Sequence, residues 1–207
     1  MLPDMPKLEC PFVRKLVKFD EYLVTPEINP WYEWVFEDEN VKCVEKMDGT
    51  NISIKIQDKK VIAIQNRLNI IDPWDKSTAH IMEWLYESLK KGYLDLPDGV
   101  YFGELIGPKL QWNPYKLERH VWIPFLSYAQ ESLAYKSWEK QEKTFENISI
   151  WFRDHIFSLY HRKIHDGEIT KPEWVIFIHP DGRMAKLRLD MFDWWEGRRH
   201  KGEGLGK

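Results

Sequence analysis

Glu45-Lys46-Met47-Asp48-Gly49-Thr50-Asn51, running on into Ile52-Ser53-Ile54-Lys55-Ile56, is the stretch on which the reading of this chain turns. Val41-Lys42-Cys43-Val44-Glu45 ahead of it, with Val41, Cys43 and Val44 apolar, has a strand-like pattern and predicts a strand that leads into Lys46. Beyond the Asp-Gly turn, Asn51 to Ile56 alternates with period two, and Gln57-Asp58-Lys59-Lys60 feeds Val61-Ile62-Ala63-Ile64-Gln65, which predicts a hairpin. Lys46 thus stands at a strand end beside a glycine turn, where an amine is presented next to backbone N–H groups able to meet a phosphate. A free lysine titrates near about 10.4, so attack on phosphorus calls for neighbouring cations or desolvation.

Working outward, Ser77 to Lys91 predicts a helix with Ile81, Leu85 and Leu89 on one face and Gly92 as its stop. A strand is expected at Gly99 to Ile106. After an aromatic, proline-bearing loop from Gly107 to Tyr115, another is expected at Val121 to Tyr128. Ser137 to about His165 predicts one or two helices. Trp174 to Ile178 and Met184 to Leu189, joined by His179-Pro180-Asp181-Gly182, predict a closing hairpin. Lys186 and Arg188 then face one side of their strand while Leu187 and Leu189 face the other. The fold class expected is α+β, mostly antiparallel sheets with flanking helices. The expected division is an N-terminal strap over 1–40, one domain over 41–195, and a charged, glycine-bearing tail over 196–207.

The bulk numbers narrow the function. A formal charge of −3 over 207 residues excludes a protein that coats nucleic acid by net charge, so any such contact is a local basic surface. Cys10 and Cys43 have no CxxC or Cys/His ligand spacing, and His161, His165 and His179 form no metal spacing, which gives no support for zinc or a disulfide framework. No stretch approaches about 18 continuous apolar residues and the N-terminus lacks a leader pattern, so a cytoplasmic or otherwise intracellular protein without membrane contact is expected.

Lys46-x-Asp-Gly is a weak signal alone. It is followed in order by Arg67 after the hairpin, Phe102-Gly103-Glu104 in a strand, Pro172-Glu173-Trp174-Val175 at the opening of another, and Lys186-Leu187-Arg188 in the last. In that order the segments resemble the covalent nucleotidyltransferase superfamily of polynucleotide ligases and mRNA capping enzymes. Lys46 to Gly49 resembles motif I, Asn66-Arg67 motif Ia, Tyr101 to Glu104 motif III, the strand around Phe125 motif IIIa, Glu173-Trp174-Val175 motif IV and Ala185 to Arg188 motif V. Asn51, five residues after the lysine, and Gly103-Glu104-Leu105-Ile106-Gly107-Pro108 are similar to the nick-sealing RNA ligase branch. Two positions depart from the pattern: Trp174 stands where glycine is usual, and Arg188 where a second lysine is usual.

The resemblance implies an ATP-grasp-like adenylation domain and an ATP-dependent RNA ligase. Lys46 would form a lysyl-AMP intermediate, AMP would pass to an RNA 5′-phosphate, and a 3′-hydroxyl would displace it. Glu45, Asp48, Asn51, Arg67, Glu104, Phe125, Glu173, Lys186 and Arg188 are the implied nucleotide-binding residues: Glu104 for the ribose, Phe125 for adenine, with Trp122 or Tyr128 as alternatives, and Lys186 with Arg188 for the α-phosphate. Mg2+ or Mn2+ is implied as cofactor, carried mostly by phosphates and water with Glu173 as the protein carboxylate. The partners implied are ATP, RNA ends or nicks, and an RNA-holding protein in place of a further domain. The alternatives are a capping-type guanylyltransferase or DNA ligase, which usually carry an OB-fold after motif V where eighteen residues follow Leu189 here, and a non-catalytic nucleotide- or RNA-binding module.

Overall fold

The computed structural model describes residues 2, 3, 5, 7–18, 21–67, 69–90, 96–125 and 131–197. Among them ten strands form three antiparallel sheets, with a few short helices and one of eleven residues, so the α+β expectation holds. The strands are β1 (Phe12–Lys18), β2 (Glu21–Ile28), β3 (Lys42–Lys46), β4 (Thr50–Gln57), β5 (Lys60–Asn66), β6 (Asn69–Ile70), β7 (Gly99–Ile106), β8 (Val121–Pro124), β9 (Trp174–Ile178) and β10 (Met184–Arg188).

The chain divides into two compact units, one of Met1–Lys7 with Met47–Ser132, the other of Leu8–Lys46 with Leu133–Lys207. The sequence reading placed its divisions at 40 and 195; the structure places one at the Lys46–Met47 bond. Each unit has its own core, which is the physical reason for the division: hydrophobic clusters that do not merge define separate folding bodies. The residues expected to form an N-terminal strap contain the β1–β2 hairpin, and are shared between the units. Of the expected tail, only Glu196 and Gly197 fall within the described residues.

In the first unit, β6-β5-β4-β7-β8 form one sheet. Alternation in β4 sends Ile52, Ile54 and Ile56 into the core with Leu105 and Trp122, and the helix Ala79–Leu89 adds Ile81, Leu85 and Leu89. That helix sits inside the predicted 77–91 span; Gly92, read as its stop, lies outside the described residues. Two glycines are fixed by close approach. A Cβ on Gly49 would fall 2.3 Å from the Leu105 carbonyl oxygen, and one on Gly103 would fall 2.5 Å from the Trp122 ring.

In the second unit, β10-β9-β3 form a sheet whose buried face carries Cys43, Val175, Phe177, Ala185 and Leu187. Trp138, Trp151, Phe152 and Phe192 pack on that core, so the large tryptophan content goes mainly into burial here. The predicted helical stretch 137–165 is broken into Phe145–Ile150, a π-turn over Trp151–His155 and Leu159–Ile164. Thr144 and Ser158 cap the two helices through their hydroxyls.

Candidate active site

The second unit gathers the cations around one indole. In register, Lys46 pairs with Trp174 and Trp174 with Arg188; one step along, Val44 pairs with Ile176 and Ile176 with Lys186. Because side chains two apart share a face, Lys46, Trp174, Lys186 and Arg188 all project from one side of the three-stranded sheet. The Trp174 ring centroid lies 5.4 Å from Lys46 Nζ, 4.7 Å from Lys186 Nζ and 5.2 Å from Arg188 Cζ. A π face shared in this way eases the placing of three cations side by side. Arg188 is also buried and pairs through Nε with Asp190 Oδ1 at 2.8 Å. Glu173 is half-buried immediately before β9, and its carbonyl accepts the Leu189 N–H.

Glu45 lies on the opposite face from its neighbour. Alternation turns it toward the core, where it is 3% exposed and its carboxylate accepts from the Ser158 hydroxyl and the Tyr160 N–H, at the start of the helix Leu159–Ile164. Glu45, expected at the nucleotide from its place beside Lys46, ties the strand that ends in Lys46 to that helix. On the other edge of β3, Glu45 N–H donates to Leu133 O and Tyr135 N–H to Cys43 O, so the strand is held on both sides.

Burial pushes the Glu45 carboxyl up to about 7, working against the Ser158 hydroxyl and the amides of Tyr160 and Leu159, which favour the charged form. Its native pKa stands above the unfolded value near 4.5, so between these values the unfolded state binds fewer protons and stability falls as pH rises, then levels off above about 7. Glu45→Gln is expected to remove that part of the slope, up to about 3 kcal/mol between pH 4.5 and 7, in denaturant titrations run against wild type. Parallel slopes for the two proteins would show that Glu45 does not titrate there.

The first unit carries Asp48, Asn51, Arg67, Glu104 and Phe125. Asn51 pairs directly with Glu104, which pairs with Ile123, and Ser53 pairs with Phe102 on one side and Gln65 on the other. Asn51, Ser53, Phe102 and Glu104 therefore share the sheet face opposite the isoleucine core. Phe125 N–H donates to Phe102 O at 2.8 Å, and Phe125 is two residues past Ile123, which puts it on that face as well. Trp122 is fully buried in the core with Nε1 on Ile52 O, so it is not a candidate for stacking; Tyr128 lies outside the described residues. Glu104 is 5% exposed, inside β7 and not at its end. Among the described residues, Asn51 Oδ1 and Ser53 Oγ are buried without a hydrogen-bond partner, and such atoms fit a polar ligand.

Arg67 is not drawn into that row. It is exposed, at φ +50°, in the turn between β5 and β6, with its carbonyl accepting from the Gln65 amide. Asp48 N–H donates to the Tyr115 hydroxyl at 2.9 Å. Two positions in these arrangements had no role assigned from sequence: Ser53 and, beyond its departure from the usual glycine, Trp174. Ser53 had a signal, a hydroxyl set between Ile52 and Ile54 and two residues from Asn51, on the same face of the strand.

No group of three or more His, Cys, Asp or Glu suited to a metal ion occurs among the described residues, and none of their helices is long and apolar enough to cross a membrane. A model of the RNA ligase family matches residues 39–205. Among solved structures, a Naegleria gruberi RNA ligase with pyrophosphate is similar at 15% identity and a TM-score of 0.47, over 91% of this chain and 61% of that one. A mutant of that ligase with ATP and Mn is similar at 15% identity and a TM-score of 0.46, over 90% and 60%. The chain thus spans about three-fifths of the length of these ligases. Nothing among the curated proteins matches it.

Proposed function

Since this chain belongs to the RNA ligase family, we propose that it is an ATP-dependent RNA ligase working through a lysyl-AMP intermediate on Lys46. The observation that carries the reading is the single sheet face on which Lys46 stands with Lys186 and Arg188 around Trp174. Cations there stabilise the charge that builds on the α-phosphate as an amine attacks it.

The Lys46 nitrogen attacks the α-phosphorus of ATP, the P–N bond forms, the bond to the bridging oxygen breaks, and pyrophosphate leaves with that electron pair while the amine loses its proton. An RNA 5′-phosphate oxygen then takes the AMP from the lysine, and a 3′-hydroxyl displaces AMP to close a phosphodiester. Lys186 and Arg188 are assigned to the α-phosphate, Glu104 to a ribose hydroxyl, and Asn51, with the unpartnered Oδ1, to a donor of the ligand. Phe125 is assigned to adenine on the strength of its sheet face. Asp48 and Arg67 remain assigned to the nucleotide or the RNA end by their motif positions. A divalent ion, Mg2+ or Mn2+, would neutralise phosphate charge, with Glu173 the protein carboxylate assigned to it.

The test is incubation of the protein with ATP labelled at the α-phosphate and either metal. A covalently labelled protein is expected, and the same reaction with labelled GTP is expected to leave it unlabelled. Protein unlabelled by ATP with both metals sinks the proposal; labelling by GTP instead points to a capping-type reaction.

A further inference from the structure

The loop joining β7 to β8 is fastened to the segment that follows Lys46, yet leaves a tryptophan in water. Tyr115 is 4% exposed and its hydroxyl accepts the Asp48 N–H, while Gln111 Nε2 donates to the Gly49 carbonyl. Inside the loop, Leu110, Asn113 and Lys116 donate their N–H groups to the carbonyls of Gly107, Leu110 and Asn113. The Asn113 amide side chain bonds Leu117 in both directions. Lys109, Gln111, Trp112, Asn113 and Lys116 have positive φ, which disfavours each non-glycine residue by about 1 kcal/mol or more. So constrained, the loop holds the Trp112 backbone in place, and the ring is 95% exposed.

Two other tryptophans are nearly as exposed, Trp31 at 85% and Trp74 at 90%. Charge separates the three. Trp31 is followed by Glu33, and Trp74 lies between Asp72 and Asp75, whereas residues 107–117 hold Lys109 and Lys116, both exposed, and no acidic residue. A flat π surface beside two ammonium groups suits a polynucleotide: a base stacked on an aromatic ring contributes about 1–3 kcal/mol, and lysines attract the phosphates that flank it. Carboxylates beside the other two rings repel the same phosphates.

We propose that the 107–117 loop is a single-strand binding element, with one unpaired RNA base stacked on Trp112 and adjacent phosphates against Lys109 and Lys116. A base engaged in a duplex is covered by its neighbours, so the element favours an unpaired nucleotide over a blunt duplex. The proposal rests on the ligase reading for its substrate, and the anchoring to Asp48 and Gly49 ties that nucleotide to the segment leading from the nucleophile.

Fluorescence anisotropy with a short single-stranded RNA bearing a 5′-hydroxyl, and with a blunt RNA duplex of the same length, tests it on the full chain without ATP. Trp112→Ala is expected to weaken single-strand binding by about 5- to 150-fold while duplex binding holds. Joint replacement of Lys109 and Lys116 by alanine is expected to reduce the salt slope by about 1.4. Trp74→Ala is expected to bind as wild type does, and melting of each variant as wild type does is the check on folding. Failure of wild type to bind the single strand, equal binding by Trp112→Ala, or an equal loss by Trp74→Ala overturns the proposal. Wild type that binds through Trp112 but takes no label from ATP overturns the ligase reading and leaves the loop's role standing.

Discussion

Lys46→Ala, given ATP labelled at the α-phosphate and Mg2+, is expected to carry no covalent label, a fall of at least about three orders of magnitude against wild type. Alanine removes the nitrogen that would form the P–N bond, and no positioning by neighbours compensates for a missing nucleophile. Lys46→Arg is the sharper variant. It keeps a cation against Trp174 but offers a guanidinium that stays protonated at any working pH, so it is expected to fold as wild type does and still to remain unlabelled. Lys186→Ala, by contrast, is expected to label slowly, because it leaves the nucleophile and takes away charge stabilisation worth a factor of about 100 to 1,000. Label on Lys46→Ala equal to wild type, or complete loss only in Lys186→Ala, would move the nucleophile to another lysine.

The second large effect is expected at Asp190. Arg188 and Asp190 are buried side by side, and Asp190→Ala takes away the carboxylate that meets the guanidinium at 2.8 Å. Removing one member of such a pair typically costs about 3–5 kcal/mol. Arg188→Met keeps length and apolar contact with the core while removing both the charge and its need for Asp190, so its loss of stability is expected to be smaller. Its labelling by ATP is expected to fall further than its stability does, because Arg188 also stands on the Lys46 face. Denaturant midpoints beside labelling rates separate the two roles. Asp190→Ala melting with wild type would show that the pair contributes nothing to the fold.

What could be read from the sequence was what the backbone encodes locally. Alternation put Lys186 and Arg188 on one face and Leu187 on the other, and the structure keeps that division. The β4–β5 hairpin after Lys46 was equally legible, because its turn and both strands lie within seventeen residues. Register between distant strands was not. That Trp174 faces both Lys46 and Arg188 follows from β9 lying between β3 and β10, a fact of pairing that no local pattern carries. The burial of Glu45 escaped notice for the same reason, since Ser158 is 113 positions away. β2 was hidden by Pro26, which reads as a strand breaker; it is tolerated because β1 and β2 form a two-stranded sheet in which each strand has a free edge. The division into two units was hidden by continuity: strand pattern runs on either side of Lys46–Met47, and only separate cores reveal the boundary.

The pairing of β3 with β9 has a consequence in time. As the chain leaves the ribosome, Met47 to Ser132 can begin closing its own sheet while the strand that ends in Lys46 still lacks its neighbour. Synthesis at about 5–20 residues per second sets an interval of roughly 6–25 s between Lys46 and Trp174. Through that interval Lys46 stands on an edge not yet paired with β9, away from Trp174, Lys186 and Arg188, and under the proposed mechanism adenylylation waits for the last hairpin to dock. Nascent chains arrested before Trp174 should therefore take no label from ATP, and those released past Arg188 should gain it in one step.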